Sequence, residues 1–179
     1  MRYVLFFLIL LFSVDVDAQK LVKHKLADNI SVGLPKDFHT MSDEDKAQRY
    51  ESARLPIALY TDPNRLADFG VNRSYSTWQQ GDLNLVEEFY RASIIELYDK
   101  VKFISKGVKN VNKHDFVYFE FESVVYPEND FQGNIAKYTY LMYGLEDGTT
   151  YLFNFTCELG ARNQWQSTAH AIMESVKLK

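Results

Sequence analysis

The sequence predicts an α+β domain in which an antiparallel β-sheet is flanked by helices. Three observations carry that expectation. Between Val101 and Leu159, four long segments alternate apolar and polar residues with the period of two that strands impose. Segments 82–97 and 163–176 instead repeat apolar residues at helical spacing. Short connections between the strand-like segments favour antiparallel pairing, and helices with a single apolar stripe need a sheet face to cover.

In chain order, Met1-Arg2-Tyr3 precedes an apolar run over residues 4–12 and a short polar segment over 13–18. This is the layout of a secretory signal. Val16 and Ala18 stand at −3 and −1 of a cut before Gln19, so residues 1–18 are expected to be a cleaved leader. Residues 19–179 then form one mature domain of 161 residues. Nine apolar residues fall short of the roughly 20 that span a membrane, and no cysteine near the cut is available to carry a lipid. The expected location is periplasmic or secreted, with no stable membrane anchor after cleavage.

Segments 21–26 and 30–34 alternate around Ala27-Asp28-Asn29 and predict a hairpin ended by Pro35. Ser42 is the expected N-cap of a helix running to Ala53. Asp43, Glu44 and Asp45 complement its positive end, a metal site being the other reading of this acidic cluster. Strands over 56–60 and 68–78 flank the turn Thr61-Asp62-Pro63-Asn64. Asp82 caps a second helix with Val86, Phe89, Tyr90, Ser93, Ile94 and Leu97 on its buried stripe. Four strands follow, over 101–109, 115–126, 135–145 and 149–159, the last two joined by the hairpin signal Glu146-Asp147-Gly148. Asn163 and Gln166 have capping-box spacing at the start of a final helix that buries Trp165, Ala169, Ile172, Met173 and Val176.

No repeat or linker divides the chain. Loss of the leader removes Arg2, Asp15 and Asp17, one positive and two negative charges, so the formal net charge moves from −4 to −3. So weak a balance gives no electrostatic reason to expect nucleic acid as a partner. Cys157 is the single cysteine, which excludes an internal disulfide; its expected place is the core.

The stretch Ile30-Ser31-Val32-Gly33-Leu34-Pro35-Lys36-Asp37-Phe38 resembles the opening strand and the following turn, with its proline and aromatic, of the PsbP-like α/β/α sandwich superfamily. That superfamily includes PsbP, the Ran-binding Mog family and DcrB-like envelope proteins. The order of elements is similar over nearly the whole mature chain. The resemblance implies an α/β/α sandwich and a role in binding rather than catalysis. Neither chloroplast targeting nor a Ran-contact motif is visible, so neither of those functions is carried over.

Chemical motifs are few. His24, His39, His114 and His170 are scattered without zinc spacing, and no phosphate loop, dinucleotide fingerprint or nucleophile elbow occurs, so no metal or cofactor is expected. Period-two alternation divides Val117, Phe119, Phe121 and Val125 from Tyr118, Glu120, Glu122 and Val124. It likewise divides Tyr138, Tyr140 and Met142 from Lys137, Thr139 and Leu141, and Phe153, Phe155 and Cys157 from Asn154, Thr156 and Glu158. One face is then core and the other mixed.

The expected ligand-binding residues are Glu120, Glu122, Lys137, Asn154 and Glu158, converging on the mixed face if the strands pair in sequence order. Tyr126 and Phe131 form an aromatic rim, and Tyr60, Tyr75 and Trp78 also stand near turns or strand ends. The other reading of this face is a solvated surface whose carboxylates pair with Lys137. Nothing supplies an activated nucleophile. The expected function is therefore a non-enzymatic binding or accessory protein of a bacterial cell envelope, its partner a protein or a small apolar ligand. A carrier or chaperone for such a ligand and an extracytoplasmic carboxylate-dependent hydrolase are the alternatives.

Overall fold

The computed structural model describes residues 20–50, 56–127 and 133–179. The expected leader, the cut before Gln19 and Phe131 lie outside the described residues. The chain enters through the hairpin of β1 (Leu21–Lys25) and β2 (Ile30–Pro35), then β3 (His39–Thr40) and α1 (Asp43–Arg49). Strands β4 (Ala58–Thr61) and β5 (Ala67–Tyr75) lead into α2 (Leu83–Leu97). The meander β6 (Lys100–Val111), β7 (His114–Val125), β8 (Ile135–Glu146) and β9 (Thr149–Glu158) follows, then α3 (Arg162–Ser175) and β10 (Lys177–Leu178). A seven-stranded antiparallel sheet has the order β3-β4-β5-β9-β8-β7-β6, and a small sheet has the order β1-β2-β10.

Turn chemistry explains much of this. Asp147 (φ 45°) and Gly148 (φ 69°) close the β8–β9 hairpin in the left-handed conformation that matches strand twist. Asn112 (φ 51°) and Lys113 (φ 72°) do the same between β6 and β7. Asn112 also donates to the carbonyls of Glu174 and Val176, satisfying backbone at the end of α3. Between β4 and β5 the buried Asp62 carboxylate accepts the N–H groups of Asn64, Leu66 and Ala67. Ser42 Oγ accepts the Asp45 N–H at 3.1 Å and caps α1 as expected.

Two expected caps are replaced. The Asp82 carboxylate accepts the Gln79 N–H within a 3-10 turn preceding α2. Asn163 caps nothing, because a 3-10 turn over Leu159–Ala161 runs straight into α3. The stripe on α2 is also narrower than the sequence implies. Val86 and Ile94 are buried and Tyr90 is half-buried against Tyr143, whereas Phe89 is 53% and Leu97 71% exposed. Only the line of residues spaced by four meets the sheet, and Phe89 lies on its flank against Trp78.

Both faces of the large sheet are core, which corrects the expectation of one core face and one mixed face. On one, Phe69, Phe116, Tyr138, Tyr140, Phe153, Phe155 and Cys157 pack against Trp165, Ala169, Ile172 and Met173 of α3 and against β2. On the other, Val117, Phe119, Phe121, Leu141, Tyr143 and Leu145 pack against α2. The result is three layers. No helix among the described residues is long and apolar enough to cross a membrane.

Candidate functional site

The strands of the meander pair in sequence order, but their register divides the expected site. Glu120 lies opposite Tyr140 and Glu122 opposite Tyr138, whereas Lys137 lies opposite Ser123 and Glu158. Glu120 and Glu122 therefore face α3, while Lys137, Asn154 and Glu158 belong to the opposite face. An offset of one residue is enough to do this, because side chains alternate across the pleat.

On the α3 side the carboxylates are fully engaged. Glu120 is 2% exposed, and its Oε1 accepts Tyr138 OH at 2.8 Å and Gln166 Nε2 at 2.7 Å, with His170 Nε2 at 3.1 Å. Burial pushes this carboxyl upward, but the hydrogen bonds from Tyr138, His170 and Gln166 together outweigh it and hold the group below its ordinary range. Glu122 pairs with Arg162 and with Lys102 at 3.3 Å, and the Arg162 guanidinium lies over the Tyr138 ring. Neither carboxylate has the expected partner Lys137. This seam fastens α3 to the sheet.

The opposite face holds a different arrangement. Between the end of α1 and α2, a cavity of about 160 Å³ is lined by Arg49, Tyr50, Asp68, Tyr98, Lys137, Thr139, Leu141, Asn154 and Thr156. Its floor is two rows of cross-strand neighbours, Asp68-Thr156-Thr139 and Gly70-Asn154-Leu141. Glycine at 70 leaves room for Leu59, whose Cδ2 would lie 2.8 Å from a Cβ there. Arg49 Nη2 pairs with Asp68 Oδ2, which also accepts Tyr50 OH at 3.1 Å. Thr139 and Thr156 bond each other, and Thr156 donates to the Tyr138 carbonyl. Burial, reinforced by Asp68, pushes the Tyr50 phenol upward, and burial alone does so for Tyr98, so both rings stay protonated.

Three atoms of this cleft are buried without a hydrogen-bond partner: Arg49 Nη1, Asp68 Oδ1 and Asn154 Oδ1. Each such group costs about 1–3 kcal/mol, and three of the four such atoms among the described residues belong to side chains that line this one cavity. Lys137 is exposed at the rim and makes no ion pair among the described residues.

Of the expected site residues, then, Lys137 and Asn154 line the cleft, and Glu158 is exposed on the strand beside Lys137. Glu120 and Glu122 stand on the other side of the sheet. Tyr126 follows the last residue of β7 and is part-exposed, with Lys100 Nζ 5.2 Å from its ring centroid. Tyr75 is 85% exposed, while Tyr60 contacts His24 edge-on. Sequence reasoning missed Arg49, Tyr50, Asp68 and Tyr98. One signal for them was present: an acid, Asp68, inside the apolar strand Ala67–Tyr75 needs a cation above it. Among the described residues no group of three or more His, Cys, Asp or Glu side chains is placed to hold a metal ion.

No family model and no curated protein matches the chain. Solved structures do match. The solution structure of cyanobacterial PsbP from Synechocystis aligns with a TM-score of 0.63 at 9% identity, over 90% of this chain and 94% of that one. The Ran-binding protein Mog1p of Saccharomyces cerevisiae aligns with a TM-score of 0.59 at 10% identity, over 89% and 96%. LpqN of Mycobacterium tuberculosis, a protein involved in cell envelope biogenesis, aligns with a TM-score of 0.54 at 11% identity, over 84% and 83%. With three layers, an antiparallel meander and matching length, the chain has the PsbP-like α/β/α sandwich fold.

Proposed function

We propose that this chain is an exported, non-enzymatic accessory protein of a bacterial cell envelope, and that the cleft between α1 and α2 holds its ligand. The observation that carries the second half is the set of unpartnered buried atoms on Arg49, Asp68 and Asn154. Export is supported by the leader pattern that ends at Ala18, and an envelope role by the fold likeness to LpqN. A carrier for an apolar ligand finds little support, because the spaces between the sheet and α2 and between the sheet and α3 are filled by packed cores. Carboxylate-dependent hydrolysis finds little either: Glu120 is sealed under α3, and Asp68 is the one carboxylate among the described residues that line the cleft.

The test is native mass spectrometry of the full-length gene product recovered from the cell envelope without denaturation. The expected result is a chain beginning at Gln19 that carries a non-covalent adduct, which is absent from an Asn154→Leu variant. An adduct retained by that variant places the binding site elsewhere, and a chain still beginning at Met1 removes the export assignment.

A further inference from the structure

We infer that the cleft recognises a small carboxylate bearing a hydroxyl or amino group beside its acid: a sugar acid, hydroxy acid or amino acid of monomer size. The inference rests on the reading of the cleft as a ligand site and adds what the ligand must be. Its basis is a count of hydrogen-bonding capacity. Asp68 Oδ1 and Asn154 Oδ1 are acceptors that need hydrogens from outside, and Arg49 Nη1 is a donor that needs a lone pair.

Charge narrows the choice. Arg49 and Asp68 neutralise each other, and Lys137 at the rim makes no ion pair among the described residues, its cross-strand neighbour Glu158 standing outside the lining of the cleft. A plain anion such as propionate or phosphate engages Arg49 and Lys137 but sets its oxygens against two bare acceptors. A plain amine does the reverse, satisfying the acceptors and leaving the guanidinium N–H and Lys137 unmet. A neutral sugar supplies donors but no charge for Lys137. A carboxylate with an adjacent donor meets all four groups: its acid lies between Arg49 Nη1 and Lys137 Nζ, and its hydroxyl or ammonium donates to Asp68 and Asn154.

Size agrees with this chemistry. The cavity of about 160 Å³ lies below the roughly 300–1,000 Å³ typical of drug-sized pockets, which suits a monomer rather than an oligomer. Leu141 and the Tyr98 ring contribute apolar surface against which the carbon skeleton of such a ligand rests.

The test is isothermal titration of the full-length protein with four probes: D-gluconate, L-alanine, D-glucose and propionate. Binding is expected for gluconate or alanine, with both glucose and propionate at least about tenfold weaker, a difference of about 1.4 kcal/mol. Which of the first two binds separates a sugar acid from an amino acid. Lys137→Gln, an exposed change that leaves the fold intact by circular dichroism, should weaken binding of the acid about tenfold and leave any weak glucose binding unchanged. Glucose or propionate binding as tightly as the acids overturns the ligand class. If that binding also disappears in Asn154→Leu, the cleft stands as the site and the class alone is wrong. Failure of all four probes overturns the class as well, and the cleft itself falls only if the adduct in native mass spectra survives Asn154→Leu.

Discussion

Replacing Asn154 by leucine should make the protein more stable while removing its ligand. In the free protein the Asn154 carbonyl oxygen is buried with no donor, a state that costs about 1–3 kcal/mol. Leucine branches at the same carbon and carries no polar atom. It also continues an apolar row, with Leu141 as the cross-strand neighbour on β8 and Leu59 reaching over Gly70 on the other side. Allowing for imperfect packing, a net gain of about 1–2 kcal/mol is expected. For a chain of 179 residues each kcal/mol moves Tm by about 2–4 °C, so the shift is roughly 2–8 °C upward. Differential scanning calorimetry on protein stripped of ligand by refolding reads it. A fall in Tm of a few degrees refutes the reasoning, because it means that Oδ1 is satisfied in the free protein and that the amide is structural.

Other consequences concern the opposite face and the core. Glu120→Gln should cost about 1–2 kcal/mol at neutral pH, since it weakens three charge-assisted hydrogen bonds; urea unfolding measures this. Because the folded-state pKa of Glu120 is depressed, its contribution is complete above the ordinary glutamate value of about 4.3 and is lost as pH falls through the lower folded value. The urea midpoint of the native sequence should accordingly drop more steeply below about pH 4.5 than that of Glu120→Gln, and parallel curves contradict the assignment. Burial pushes the Cys157 thiol up to about 11, so labelling by a disulfide reagent at pH 8 should be slow in the native state and fast in urea. Gly144→Ala should destabilise by about 1–3 kcal/mol, as its Cβ falls 2.7 Å from both Phe116 Cε1 and Leu178 Cδ2; an unchanged Tm counts against that packing.

Much of the architecture was legible because it is written in local chemistry. The hairpin at Gly148, the Ser42 cap, the buried stripe of α3 and the alternation of the meander each follow from a few neighbouring residues. The site was not legible in the same way. Alternation assigns two faces to each strand but does not say which face of β7 continues which face of β8; that is fixed by where the strands are connected and how they twist. Residues 126–134 separate these strands in the chain, and the register between them sends Glu120 under α3 and Lys137 to the other side. Arg49 and Tyr50 escaped notice for a related reason. They stand at the end of a short acidic helix, and their importance arises only from the strand that passes beneath them, whose Asp68 is 18 and 19 positions away.

The location of the site is tested most directly by nuclear magnetic resonance of the labelled mature protein titrated with the small-molecule fraction of the cell envelope. The expected result is a set of shifts at the Asn154 side-chain amide, the backbone amides of Thr139 and Thr156 and the Arg49 guanidinium, with Glu120, Gln166 and His170 unmoved. Shifts confined to the α3 seam, or to the β8–β9 turn around Gly148, contradict the assignment of the cleft as the ligand site.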